Sequence, residues 1–273
     1  MKILVTGHRG YIGSKLYAML ESNNHIVHGI DLEEDKNVIN DLPNETYDCV
    51  FHLAAFPSVQ QSVENPSNTF KNNAYSTSVL LEWAKNHNVG RVVFSSSAAA
   101  DNVSSPYGLH KLISEKECSL YSKLFGLDTV CLRYYNVYSE DQKYGGSYST
   151  VVSAWMHMIR QGKPLQIDGD GEQTRDFIHV DDIVSANIFC MEYDGKFEGH
   201  VLNVASGQTF SLNYIKSIID KHVSVSWISS PTRIGDVKYS QADISKILSL
   251  GWQPSIQFEQ GLKICLEAAI NEL

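Results

Sequence analysis

The sequence predicts an α/β fold: a doubly wound, mostly parallel sheet followed by a smaller C-terminal α/β lobe. Three observations predict it. Short apolar runs alternate with helix-length segments through the first half of the chain. A glycine-rich turn follows the first run directly. After about residue 137 the rhythm loosens into shorter elements, punctuated by glycines at 145–147, 162–164 and 169–171.

The elements follow in order. Lys2–Thr6 (KILVT) is a continuous apolar run, the pattern of a strand buried on both faces. Residues 11–22 have helical spacing through Ile12, Leu16, Met19 and Leu20. Residues 25–30, 48–53 (DCVFHL) and 91–95 (RVVFS) read as further strands. Between the last two, residues 66–87 carry a long helical pattern through Phe70, Ala74, Thr77, Leu80, Leu81 and Ala84. Residues 105–125 read as another helix, and 128–133 (DTVCLR) as a strand. Strands separated by helices imply right-handed crossovers and a parallel sheet. The expected division is 1–140 as a dinucleotide-binding domain, with 176–196 returning to it around a helix at 181–193. Residues 141–175 and 197–273 then form the smaller, substrate-binding lobe.

Composition excludes several functions. The chain has 273 residues, 43% hydrophobic and 19% charged, with a net charge of −9 and no long basic run. A chain of this size buries about three quarters of its surface on folding. The charge balance argues against a nucleic-acid partner. No apolar run approaches the ~18 residues that span a bilayer, and the opening MKILVTGHRG lacks the features of a secretory signal. The five scattered cysteines contain no CxxC pair, which suits free thiols in a reducing cytoplasm and no metal site.

The first strand runs into Gly7-His8-Arg9-Gly10-Tyr11-Ile12-Gly13, a GxxGxxG opening a helix. Glycines permit the tight turn, and backbone N–H groups and the positive helix end then face a pyrophosphate. The third glycine lets helix and strand pack closely. This is the Rossmann arrangement for a dinucleotide. Asp31 follows the second strand, 18 residues after Gly13. A carboxylate there accepts the adenine-ribose hydroxyls and repels a 2′-phosphate. The next residues, Leu32, Glu33 and Glu34, include no Arg to receive such a phosphate. NAD is therefore the expected cofactor.

Tyr107 and Lys111 form YxxxK on one helix face. A phenol is too weak an acid to serve as a base near neutrality unless a nearby ammonium favours the phenolate. A second YxxxK, Tyr11 with Lys15, overlaps the glycine turn; order along the chain selects Tyr107. Phe94-Ser95-Ser96-Ser97 ends a strand just before it. Ser97 is placed to hydrogen-bond a reacting oxygen, with Ser96 as its competitor.

These features resemble the extended short-chain dehydrogenase/reductase family, in its nucleotide-sugar epimerase/dehydratase branch. The matching segments are VTGHRGYIGS, FHLAAFPSVQQSVENP, NNAYSTSVLLEWA, VVFSSSA, SPYGLHK, LRYYNVY, IDGDGEQTRDFIHVDDI and RIGDVKYSQADISK, from residue 3 to about 252. The resemblance implies Ser97, Tyr107 and Lys111 as catalytic residues. It implies cofactor contacts from Gly7, Gly10, Tyr11, Ile12, Gly13, Asp31, His52, Leu53, Ala54, Ala55, Asn73, Tyr107, Lys111 and Tyr134. Asn136 would flank the substrate, and Arg175, Arg233 and Asp236 would hold its diphosphate and ribose. Ser240 falls where the family gates the sugar pocket, and its small side chain leaves room for an N-acetyl group.

The implied reaction is inversion at C4 of a UDP-hexose or UDP-N-acetylhexosamine through a 4-keto form. Ser97 is followed by Ala98, Ala99 and Ala100, without the acidic pair of the dehydratases. A 4-keto reductase, a decarboxylase or a dehydratase on the same scaffold, and a non-catalytic cofactor-binding protein, are the alternatives. The resemblance also implies a homodimer through a four-helix bundle built from the helices at 66–87 and 105–125. Two segments are shorter than the family pattern: the stretch between Asp31 and His52, where one strand–helix unit is cut down, and the Ser97–Tyr107 loop.

Overall fold

Continuous apolar strands require cover on both faces, and the N-terminal half supplies it. The structure is a computed structural model and describes residues 1–145, 149–232 and 238–272. Its first elements are β1 (Lys2–Thr6), α1 (Tyr11–Ser22), β2 (Ile26–Ile30), β3 (Cys49–His52), α2 (Val59–Glu64), α3 (Pro66–Phe70), α4 (Ser76–Asn86), β4 (Arg91–Ser97), α5 (Pro106–Phe125) and β5 (Asp128–Tyr134). With the strand His200–Val204 they form a six-stranded sheet in the order His200–Val204, β5, β4, β3, β1, β2. The pairings β1–β2, β1–β3, β3–β4 and β4–β5 are all parallel. Ile3, Leu4, Val5, Val50, Phe51, Val93, Val130 and Leu132 are fully buried.

The expected α/β class is the observed one. From β1 the chain moves to β2 on one side and then to β3 on the other. The carboxyl ends of β1 and β3 therefore flank the switch point, where such sheets open a crevice for a ligand.

Two local results differ from the sequence pattern, and a third follows it. The helical path at 66–87 is interrupted by a π-helical turn, Lys71–Tyr75, between α3 and α4. Strand β4 extends two residues further than the apolar run, through Ser97, because it pairs with β5 along its full length from Arg91↔Asp128 to Ser97↔Tyr134. After Asp31 the chain makes only a 3-10 turn, Leu32–Glu34, and residues 35–48 hold no strand or helix. Strand β2 is therefore a sheet edge, and a cavity of about 900 Å³ lies along it, lined by residues that include His8, Tyr17, His28, Leu42 and Tyr47.

Contacts divide the chain into two compact units, residues 1–134 with 183–203, and residues 135–182 with the chain from Val204 onward. The return to the first unit is tied down by Arg91. Its guanidinium donates to Asp128 Oδ2 at 2.7 Å and to the carbonyls of Cys190, Tyr193 and Gly195 at 2.6, 2.8 and 2.6 Å. Those carbonyls lie at and just beyond the end of the helix Val180–Glu192, where a cation satisfies unpaired acceptors.

The second unit has small sheets. Asn136–Tyr138 pairs with Phe177–His179, Leu165–Asp168 with Trp227–Ser230, and Thr174–Arg175 antiparallel with Phe210–Ser211. Its core is mainly aliphatic around an aromatic stack: Phe258, on the helix Phe258–Asn271, stacks on Phe210 and Phe177 with ring centroids 4.4 and 5.1 Å apart. All five cysteines are buried thiols. Among the described residues, no helix is long and apolar enough to cross a membrane and no cluster of metal-ligand side chains forms.

Candidate active site

The glycine turn closes at the switch point. Gly7 has φ +75°, and its N–H donates to Ile30 O at 2.8 Å, joining the ends of β1 and β2. A Cβ on Gly7 would lie 2.7 Å from Ala54 N, and one on Gly13 would lie 2.0 Å from Gly7 O. Both are too close for any side chain, so the close approaches need glycine. Gly10 caps α1 without a side chain, and no acid lies in the first turn at Tyr11 and Ile12. The helix thus presents its positive end without a competing anion. Asp31 Oδ2 accepts from Arg9 N at 2.9 Å and Oδ1 from Glu33 N at 3.0 Å. A carboxylate has about four acceptor positions, so Asp31 retains capacity for ribose hydroxyls. An Arg does stand beside it: Arg9, within the turn itself. Its guanidinium is held by Glu34 at 2.8 Å through Nε and 2.5 Å through Nη2. The cradle, the uncapped helix end and the carboxylate together fit an adenine dinucleotide.

The wall opposite the turn is Leu53, Ala54 and Ala55, which are partly exposed. Leu53 N donates to Thr6 O at 3.1 Å, which holds the wall against β1. Two residues expected on the cofactor stand behind this wall. His52 is 1% exposed, with Nδ1 on Thr6 Oγ1 at 2.8 Å and Nε2 on Thr77 Oγ1 at 3.1 Å. Burial, and then Lys111, push its pKa down to about 3, so the ring is neutral. Asn73 is buried in the π turn, and its amide clamps the main chain of Phe56, accepting from N at 2.7 Å and donating to O at 3.0 Å. The clamp shapes the wall and uses one N–H and one lone pair of the amide. Tyr134 likewise engages its hydroxyl in the core, with Ser95 Oγ and Asn187 Oδ1 each at 3.0 Å, and burial raises its pKa.

Helix α5 carries the expected acid/base pair, Tyr107 and Lys111. Ser105 caps it through Gly108 N at 3.2 Å, and Pro106 opens it. Ser62 of α2 accepts from Tyr107 N at 3.1 Å, a second cap supplied from another element. Tyr107 and Lys111 lie on the buried face, 8% and 4% exposed. The Lys111 ammonium donates to Ser95 O at 2.6 Å and lies 6.0 Å from the Tyr107 ring centroid. Burial lowers its pKa to about 8, while Glu115 acts in the opposite direction.

The structure separates the two serines. Ser96 is buried and donates to Glu115 Oε1 at 2.5 Å. Ser97 is partly exposed at the strand end, and its Oγ accepts from Ala99 N at 3.2 Å. A Cβ on Gly108 would lie 2.3 Å from Ala99 O, so the first turn of α5 presses directly on the turn after Ser97. Glu115 and its partner Arg133 were not singled out by the sequence reading, although Glu115 stands four residues after Lys111 and so shares its face.

In the second unit, Asn136 Nδ2 donates to Asp176 O at 2.7 Å, and Arg175 Nη1 donates to Thr174 O at 2.8 Å. Ser240 N donates to Thr174 O at 3.2 Å, which brings Ser240 alongside the strand that carries Arg175. Asp176 and Asp182 accept backbone N–H groups, Asp176 from Ser206 and Gly207, and Asp182 from Ser255 and Ile256. Arg233 and Asp236 lie outside the described residues.

A model of the NAD dependent epimerase/dehydratase family matches residues 3–205. A putative UDP-glucose 4-epimerase of Methanocaldococcus jannaschii is 32% identical, covering 96% of each chain. Among solved structures, a UDP-N-acetylglucosamine 4-epimerase from Methanobrevibacter ruminantium M1, in complex with UDP-N-acetylmuramic acid, superposes with TM-score 0.90 at 31% identity. It covers 100% of this chain and 99% of its own. A UDP-glucuronic acid 4-epimerase from Bacillus cereus, with UDP-glucuronic acid and NAD, superposes with TM-score 0.86 at 28% identity over 98% and 99% of the two chains. The chain belongs to the NAD dependent epimerase/dehydratase family.

Proposed function

We propose that the chain inverts C4 of a UDP-hexose or UDP-N-acetylhexosamine. The observation that carries the reading is the buried Tyr107–Lys111 pair beside Ser97, with only alanines in the turn that follows. Bound NAD supplies a reversible hydride acceptor. Tyr107, as phenolate, takes the proton of the 4-hydroxyl and later returns it. The Lys111 ammonium lowers the cost of that phenolate. Ser97 donates a hydrogen bond to the same sugar oxygen while its charge develops. The sugar turns over in its 4-keto form before reduction. Elimination of water would need an acid/base pair after Ser97; the first acid there, Asp101, is bound by Arg133. In the second unit, Arg175 serves the diphosphate, where an Arg fork suits phosphate oxygens, and Asn136 serves the sugar. Arg233 and Asp236 join Arg175 on the nucleotide in this reading.

We also propose a homodimer. Along α5, Leu109, Leu120, Leu124 and Phe125 are exposed, and an apolar hollow of about 300 Å³ is lined by Leu112, Ile113, Lys116, Glu117 and Leu120. Such a stripe at helical spacing suits pairing with a second copy.

The test is turnover of a panel of UDP-, GDP-, CDP- and dTDP-sugars followed by mass and stereochemistry. The expected product is a 4-epimer of unchanged mass from a UDP-hexose, with no stoichiometric release of NADH. Loss of mass would assign a decarboxylase or dehydratase, and net hydride gain a keto reductase. Ser240→Tyr is expected to block the N-acetylated sugar before the plain one; equal loss of both would remove Ser240 from the sugar pocket.

A further inference from the structure

The Ser97–Tyr107 segment is short, yet it must hold Ser97 against the helix that carries Tyr107. One network accounts for this. Ser97 ends β4, and the chain turns through Ala98–Ala100 to Asp101, whose N–H closes the turn on Ala98 O at 3.0 Å. The Asp101 carboxylate then meets Nη1 of Arg133 on β5. The other two sides of the Arg133 fork grip both oxygens of Glu115, Nε on Oε1 and Nη2 on Oε2, each at 2.8 Å. Glu115 is 2% exposed and also receives the Ser96 hydroxyl. Ser96 and Arg133 are cross-strand partners. One guanidinium therefore joins the loop, two neighbouring strands and the helix face one turn beyond Lys111.

We propose that Arg133 and Asp101 are positioning residues: the pair tethers the turn after Ser97 to the Glu115–Ser96 pair and so fixes the Ser97 hydroxyl relative to Tyr107. The role of that hydroxyl rests on the epimerase reading above; the tether itself does not. The planar fork matters because it grips both oxygens of Glu115 side by side and still reaches Asp101 through its remaining Nη, a bidentate geometry that a compact ammonium does not reproduce. Asp101 is exposed, so its loss costs little stability, and what it controls is the placement of the turn.

The test uses the full chain with NAD and three variants, Asp101→Ala, Asp101→Glu and Arg133→Lys. Backbone hydrogen exchange over residues 98–105 reads the tether without any substrate. Asp101→Ala is expected to speed exchange there about tenfold, with Asp101→Glu restoring most of the protection. On whichever nucleotide sugar the wild type turns over, Asp101→Ala is expected to lower kcat about tenfold with KM within about twofold, and Asp101→Glu to rescue it. Unchanged exchange in Asp101→Ala overturns the tether. Faster exchange with unchanged kcat overturns the positioning role. A wild type inactive on every sugar overturns the epimerase reading and the Ser97 role with it, while exchange still decides the tether.

Discussion

The chain has two short segments, and they differ in how the fold treats them. After Asp31 the chain makes one 3-10 turn and no strand or helix through residue 48, and β2 is an edge beside a cavity of about 900 Å³. Between Ser97 and Tyr107 the shortening is sealed on three sides. Gly108 presses on Ala99, Ser105 caps α5, and Asp101 is bound by Arg133. The difference follows from what each segment adjoins. Loose packing at a sheet edge costs stability, of which a large core has enough. Loose packing beside Tyr107 would cost geometry at the reacting atoms.

Substitutions can break or sharpen this contrast. The largest effect is expected at the sealed end: Tyr107→Phe removes the proposed proton acceptor and should lower kcat by about 10² to 10⁴ while leaving NAD bound, measured by turnover and by cofactor retention. Next is Gly13→Ala, whose Cβ would meet Gly7 O at 2.0 Å. The overpacking should cost about 3 kcal/mol in denaturant unfolding and release NAD.

A smaller effect is tied to pH. Lys111 has a pKa lowered to about 8 by burial. If its ammonium supports the phenolate, kcat/KM falls as pH rises through about 8. Stability moves the other way: between about 8 and the ordinary value of 10.5 the unfolded state holds the proton that the folded state has lost. This group's contribution to stability therefore rises with pH across that window. A profile flat from pH 7 to 9 would remove Lys111 from the chemistry. The smallest effect is expected at the open end, where Lys36 is an exposed residue lining the cavity beside β2 and Lys36→Ala should change unfolding free energy by less than about 0.5 kcal/mol.

Much of this was legible in the sequence, for identifiable reasons. Helix α1 and strand β1 follow from local apolar spacing and a glycine turn, both short-range signals. The YxxxK pair was legible because helical geometry places residues four apart on one face. The choice between Ser96 and Ser97 was not legible, because Ser96 is claimed by Glu115, 19 residues away. Nor was the role of Asn73, whose partner is the main chain of Phe56, 17 residues earlier. Arg9 was read as part of the glycine pattern, and only folding brings it to Glu34 and Asp31. Long-range pairing of polar groups leaves no periodicity for a sequence reading to find.

The double engagement of Asp31 bears on how such an enzyme changes its diet of cofactors. Its oxygens hold Arg9 N and Glu33 N, so the side chain proposed to select the ribose also moors the glycine turn. A drift toward a 2′-phosphorylated dinucleotide cannot begin with loss of this carboxylate alone, since the turn would come adrift in the same step. The accessible route starts at Glu34, whose removal would unmask the Arg9 guanidinium while the mooring stays in place. Selectivity and scaffold are thus inherited together, and the order in which they can be altered is set by two backbone hydrogen bonds.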